Sequence, residues 1–216
     1  MRDEEPVAAG DFSAWLTDMK GAIRGERGSD VPCGACTACC RSSQFILIDP
    51  HEVDVLAHIP PALLFPAPGL PAGHVLMGYD ERGHCPMLVE DRCSIYEHRP
   101  LTCRTYDCRV FPATGVAVDD EKPEIARRAR RWTFTYPTEA DRTDHEALLA
   151  ATRHLEECRT LLPEGSVPSS ATQLAGVAIE IHDAFLAHDD DGRPHVAAPS
   201  SGAVEIELRR GRGRAD

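Results

Sequence analysis

The sequence predicts an α+β fold, rich in helix, in which a loop-rich cysteine module packs against a C-terminal helical section. Three observations carry that expectation. Apolar residues recur at helical spacing over 11–25, 143–162 and 170–187. Short apolar runs at 44–48 and 75–79 read as strands. Eight of the nine cysteines lie between Cys33 and Cys108, in a stretch with few long periodic runs.

The elements follow in chain order. Phe12, Trp15, Leu16, Met19 and Ile23 form an apolar stripe, with Asp11 as N-cap and Gly25 as stop. Gln44–Ile48 is a short strand. Asp49-Pro50-His51-Glu52 opens a helix, with Asp49 as cap, Pro50 first and Glu52 third, and Pro60-Pro61 closes it. Residues 60–73 form a Pro-rich loop before the strand at Val75–Tyr79. Glu124–Trp132 places Ile125, Ala129 and Trp132 on one helix face and four arginines mostly on others, as a solvated face does. Thr143 and Glu146 form a capping box for a helix reaching Leu162, with Cys158 near its apolar stripe as a small buried hydrophobe. Ser170 and Gln173 form a second box, for a helix through Ile181 to Ala187. Asp189-Asp190-Asp191-Gly192 is a turn without the ligand spacing of a calcium loop. Residues 192–202 are loop, Val204–Leu208 alternates like a strand, and 209–216 is a basic tail. These elements group as an N-terminal helix (1–30), a cysteine module (31–110), a mostly helical section (111–208) and the tail (209–216).

Composition narrows the function. The chain has 216 residues, 42% hydrophobic and 27% charged, an ordinary globular balance. A net charge of −12 argues against general nucleic-acid binding, which needs a basic surface. No apolar run reaches the roughly 18 residues of a membrane span. The first residues, MRDEEPVAAGDF, lack the basic-then-apolar order of a signal peptide, which predicts a cytoplasmic protein.

The cysteines carry the chemistry. Cys33-Gly-Ala-Cys36-Thr-Ala-Cys39-Cys40 is two C-x2-C steps followed by an extra thiol. Such spacing lets a tight turn aim several sulfurs at one metal. Three ligands from one loop with a distant fourth is an iron–sulfur habit, whereas zinc more often takes one C-x2-C from each of two loops. The spacing favours iron–sulfur and leaves zinc open. A second group comprises Cys85, Cys93, Cys103 and Cys108, and these eight are the candidate metal ligands. Eight thiols exceed the four that one [4Fe–4S] cluster or one zinc needs, so two centres or one multinuclear centre fit better. Arg41, Arg92, Arg104 and Arg109 each adjoin a cysteine and could offset thiolate charge. His84, beside Cys85, is the best additional ligand. No HExxH, P-loop, Rossmann glycine pattern or GxSxG occurs.

CGACTACC, CPML and CSIYEHRPLTCRTYDC, in that order, resemble the YkgJ-like cysteine-cluster family with its CxxCxxCC signature, described as zinc- or iron-chelating. Cys33, Cys36, Cys39 and Cys40 match its first block; Cys85, Pro86 and Leu88 match the second. Cys93, Ile95, Tyr96, Arg99, Pro100, Cys103, Arg104 and Tyr106 match the third. The resemblance spans roughly residues 31–110 and implies a metal-binding cysteine cluster without a settled reaction. Tyr96, Tyr106, Arg99 and Arg104 are the polar groups expected beside the centre, where such residues orient ligands. The leading expectation is an iron–sulfur or thiolate-iron protein with a redox or redox-assisted enzymatic role on a small molecule or peptide. The alternatives are a zinc-binding structural or interaction module, and metal sensing or storage.

Overall fold

The computed structural model describes residues 5–26, 28–29, 31–157, 168, 170–199 and 202–204. In chain order it runs β1 (Val7–Asp11), α1 (Phe12–Ile23), β2 (Ile46–Ile48), α2 (Val53–His58), β3 (Leu64–Pro66), β4 (Val75–Met77), β5 (Leu88–Val89) and β6 (Arg92–Cys93). It continues with α3 (Leu101–Thr105), α4 (Val110–Thr114), α5 (Pro123–Ala129), β7 (Trp132–Thr135), α6 (Glu139–Glu157), α7 (Ala171–Ile181), β8 (Leu186–His188) and β9 (Pro194–Val196). Helix outweighs strand, 44% to 15%, so the fold is α+β and helix-rich. The chain divides into two compact units: 1–27 with 108–119 and 126–216, and 28–107 with 120–125.

The first unit is built on α1, α4, α6 and α7, which pack on one another. Helix α1 buries Phe12, Trp15, Leu16 and Met19, the stripe the sequence marks. Gly25 ends it as expected: its φ of +72° is one glycine adopts without strain, and its N–H returns to Ala22 at 3.0 Å. Asp11 sits at the N-cap, but its carboxylate accepts from Thr135. The exposed helix amide at Ser13 donates instead to Asp141 of α6, at 3.3 Å. Helix α6 buries Ala147, Leu148, Ala151 and Leu155 against this core. Ser170 caps α7 as predicted, accepting from the Gln173 N–H at 3.2 Å.

The structure departs from expectation at five places. Strand β1, not anticipated, pairs in parallel with β7. Trp132 belongs to that strand and not to a helix face: Trp132 and Phe134 are buried while Thr133 and Thr135 are exposed, a period of two. Helix α6 starts at Glu139, before the predicted Thr143. The working box is Thr138 with Asp141: the Thr138 N–H and hydroxyl both reach the Asp141 carboxylate, at 2.8 and 2.6 Å, so Thr143 lies inside the helix. After Ile181 the chain tightens into a 3-10 turn (His182–Phe185) and then the β8–β9 hairpin, so residues 186–187 and part of the 192–202 loop are strand. The predicted Asp189–Gly192 turn does form, closed by a Gly192 N–H to Asp189 carbonyl bond of 2.9 Å. Val204, expected in a strand, is helical. Cys158, the helix end at Leu162, residues 205–208 and the tail 209–216 lie outside the described residues.

The second unit holds a small core of Ile48, Val55, Ile59, Met77, Met87 and Ile95, with Cys85 and Cys93 packed against it. Its sheet has the antiparallel order β2-β4-β3. The 60–73 segment is not all loop, since Leu64–Pro66 supplies the third strand through its register with Val75–Met77. Helix α2 begins at Val53, one turn after the predicted start. Glu52 still reaches back to the Asp49 N–H, at 3.1 Å, but its other carboxylate oxygen is taken by the Leu101 N–H, at 2.7 Å.

Candidate metal centre

Three segments of the second unit carry its cysteines. The first, from Cys33, opens with a turn in which the Cys36 N–H donates to the Cys33 carbonyl at 3.0 Å, Gly34 taking a φ of +57°. A 3-10 turn at Cys39–Arg41 follows, and the Ser42 hydroxyl returns to the Ala38 carbonyl at 2.7 Å. The second segment is fastened to the first by two backbone bonds: the Cys85 N–H donates to the Cys40 carbonyl at 2.7 Å, and the Ser43 N–H to the Gly83 carbonyl at 2.9 Å. The Leu88 N–H turns back to the Cys85 carbonyl, and the β5–β6 hairpin sets Leu88 opposite Cys93. Glu90 and Asp91, both at positive φ, close that hairpin in the sense its twist favours. The third segment is α3, which presents Cys103 and is fixed by the Thr102 hydroxyl to the Leu47 carbonyl, at 2.7 Å.

These bonds bring Cys39, Cys40, Cys85, Cys93 and Cys103 into one electrostatic neighbourhood. The Cys39 thiol is driven well above its usual range, first by its hydrogen bond with Cys40 and also by repulsion from Cys40. Burial pushes Cys103 up to about 12, with Cys39, Cys85 and Cys93 adding repulsion. Cys85 and Cys93 are raised by burial first and by neighbouring thiols after it. Thiols that oppose one another's ionisation are a donor set short of cations, which is what a bound metal supplies. Among the described residues no three sulfurs lie mutually within 4.8 Å.

The counter-charge comes from a residue that adjoins no cysteine. Arg99 lowers both Cys93 and Cys103. It is held by its Nε donating to the Tyr96 carbonyl at 2.8 Å and by its guanidinium lying 3.7 Å over the Tyr96 ring. Arg104 donates to the Arg99 carbonyl at 3.1 Å and reaches Glu52 at 3.8 Å, bracing α3. Tyr106 stands half-buried at the end of α3. The cysteine-adjacent arginines have other tasks. Arg41 pairs with Asp91 and donates to Thr37, and Arg109, in the first unit, donates to the Ala9 carbonyl at 3.0 Å. Adjacency in sequence was the visible signal; the Tyr96–Arg99 ring contact, three residues apart across a short 3-10 turn, was the informative one.

The remaining candidates are placed as follows. Cys33 and Cys36 are half-buried in the first loop. Cys108 belongs to the first unit, where it is buried and the Trp132 indole N–H donates to its sulfur at 3.1 Å. The His84 N–H donates to the Asp80 carboxylate at 2.8 Å, tightening the turn that delivers Cys85.

With this geometry in place, comparison with known families returns a match over residues 32–131 to CxxCxxCC, described as a putative zinc- or iron-chelating domain. The matched stretch contains all eight candidate ligands. No curated protein and no solved structure matches the chain. Among the described residues no helix is long and apolar enough to cross a membrane.

Proposed function

We propose that the protein, whose residues 32–131 match the CxxCxxCC zinc- or iron-chelating model, holds iron at a thiolate centre, in iron–sulfur form. The centre uses Cys39, Cys40, Cys85, Cys93 and Cys103, with Cys33 and Cys36 completing it from the first loop. One observation carries this reading: the Cys85 N–H bond to the Cys40 carbonyl and the β5–β6 hairpin set cysteines of separate segments beside one small core. Five sulfurs exceed the four of one zinc or one [4Fe–4S] cluster, which favours a multinuclear centre or two centres, and the C-x2-C-x2-C spacing of the first loop favours iron. The bound cluster supplies one-electron chemistry. The chain's own part is to hold the sulfurs, and to offset their charge with Arg99. We assign it redox or redox-assisted work on a small molecule or peptide in the cytoplasm, where thiols stay reduced.

Zinc is the second reading, and the small core of the second unit favours it. A unit resting on six buried side chains is the kind a structural metal holds together. Anaerobic purification separates the two. The iron reading expects brown protein with thiolate-to-iron absorption that a reductant bleaches, and several iron atoms per chain. Colourless, folded protein with stoichiometric zinc would end the redox assignment and leave the structural one.

A further inference from the structure

We propose that Asp54, His58 and His98 form a second divalent-metal site, built without sulfur, for a borderline transition ion of the zinc class. Asp54 and His58 stand four residues apart on α2 and so share one face. His98 arrives from the 3-10 turn Tyr96–His98, which packs on α2. The His98 Nδ1 lies 2.6 Å from Asp54 Oδ2, and the His58 Nδ1 lies 3.8 Å from Asp54 Oδ1. One ligand atom from each residue falls within 4.8 Å of the other two.

The donor set has a chemical meaning that an ordinary surface ion pair lacks. Two imidazoles and a carboxylate are the ligands zinc, cobalt, nickel and ferrous ions accept, with positions left for water. The two rings are stacked, centroids 3.6 Å apart and 9° from parallel. A dication shared with Asp54 satisfies both rings at once. Stacked rings aim their in-plane lone pairs side by side, so loading requires one ring to turn. His58 is the ring free to do so, at the cost of its 2.8 Å contact with the Asp54 carbonyl. The side chains are 72%, 40% and 37% exposed for Asp54, His58 and His98, so the ion enters and leaves from solvent. Asp49 offers an internal contrast. It also meets two histidines, His51 at 2.7 Å and His74 at 3.4 Å, but those three do not close within 4.8 Å of one another.

The test uses the full chain with its thiol centre filled. Zinc is titrated calorimetrically while histidine ring nitrogens are followed by nitrogen-15 correlation spectroscopy, and cobalt(II) serves as a second probe. The expected result is one additional zinc per chain, with ring shifts at His58 and His98 and none at His51 and His74. The additional cobalt should show no intense thiolate-to-cobalt band. Asp54→Asn, His58→Gln and His98→Gln should each weaken this uptake at least tenfold without changing the thiol-bound metal. The ring spectra of the unaltered protein keep the proposal testable if a variant fails to fold. Absence of additional uptake, unaltered uptake in all three variants, or uptake that leaves the His58 and His98 rings unshifted would each overturn it. None of these outcomes bears on whether the thiols hold iron or zinc.

Discussion

Arg99 shows how much of the centre's electrostatics rests on one side chain. It is the cation that lowers Cys93 and Cys103 while burial and neighbouring thiols raise them. Metal binding requires those thiols to lose protons. Removing Arg99 raises their ionisation range, so loading must shift to more alkaline conditions. Arg99→Gln is expected to move the pH midpoint of metal uptake upward by about one unit, the low end of what a nearby opposite charge does. Arg92→Gln, at an exposed position beside Cys93, should leave the midpoint in place. Equal midpoints in the two variants would show that Arg99 is only structural. The chain order of the motif makes Arg92 and Arg104 look like the natural partners of sulfur. Only the fold reveals that Arg104 braces α3 while Arg99 supplies the charge, because a residue's neighbours in a loop are set by the turn and not by sequence distance.

At the scale of elements, α6 makes an acid-sensitive joint of the first unit. Asp141 accepts from Thr138, which starts its own helix, and from the Ser13 N–H of α1. Those bonds, the Thr138 hydroxyl foremost and Ser13 next, hold its carboxyl down at about 2 against an ordinary 3.8. A depressed native value stabilises the fold above the unfolded value and loses that contribution as pH falls through the native one. Stability should therefore decline between about pH 4 and pH 2, and Asp141→Asn should flatten that stretch of the acid limb in thermal unfolding followed by circular dichroism. An unchanged acid limb in the variant would place the sensitivity elsewhere.

The same joint marks where sequence was readable. The apolar stripes of α1 and α7, the Ser170 cap and the Gly25 stop follow from local spacing and were legible. The start of α6 was not, because Thr138–Asp141 and Thr143–Glu146 both fit a capping pattern, and the choice between them is made by Ser13 from another helix. Strand β1 was hidden for a similar reason. Val7–Asp11 has little strand character alone, and its partner β7 lies far along the chain. In the second unit, Gly83 is the corresponding joint. Its φ of +77° suits glycine, and a β-carbon there would collide with the Ser43 hydroxyl. Gly83→Ala should cost about 1–2 kcal/mol from backbone handedness alone. Adding Ser43→Ala should recover only the steric part, as urea unfolding of the two variants would register.

For the whole molecule, the two units differ in what holds them. The first buries long helical stripes with aromatic contacts such as Trp15 with Phe134 at 5.0 Å. The second has a small core and cysteines of which, among the described residues, no three sulfurs lie mutually within 4.8 Å. Stripping the metal with a strong chelator should thus accelerate hydrogen exchange across residues 28–107 while α6 and α7 keep their protection. Uniform protection before and after chelation would show that the core alone suffices. The eight cysteines, and hence the resemblance that the family match over residues 32–131 bears out, were legible from spacing. How the thiols divide was not, because Cys103 and Cys108 are near neighbours in sequence yet belong to different units.

The β1–β7 pairing also imposes an order of events during synthesis. Ser13 and the Asp141 that caps its helix are separated by 128 positions. A ribosome adding about 5–20 residues per second needs roughly 6 to 25 seconds to cover that distance. Throughout it, β1 has no partner and α1 has no cap. The whole cysteine module is translated within this interval, so it can emerge and, on the proposed reading, take its metal before the first unit is able to close. A cell short of that metal would finish each chain around a module not yet set. The supply of metal to nascent chains, and not only to finished protein, then bears on how much of this protein folds.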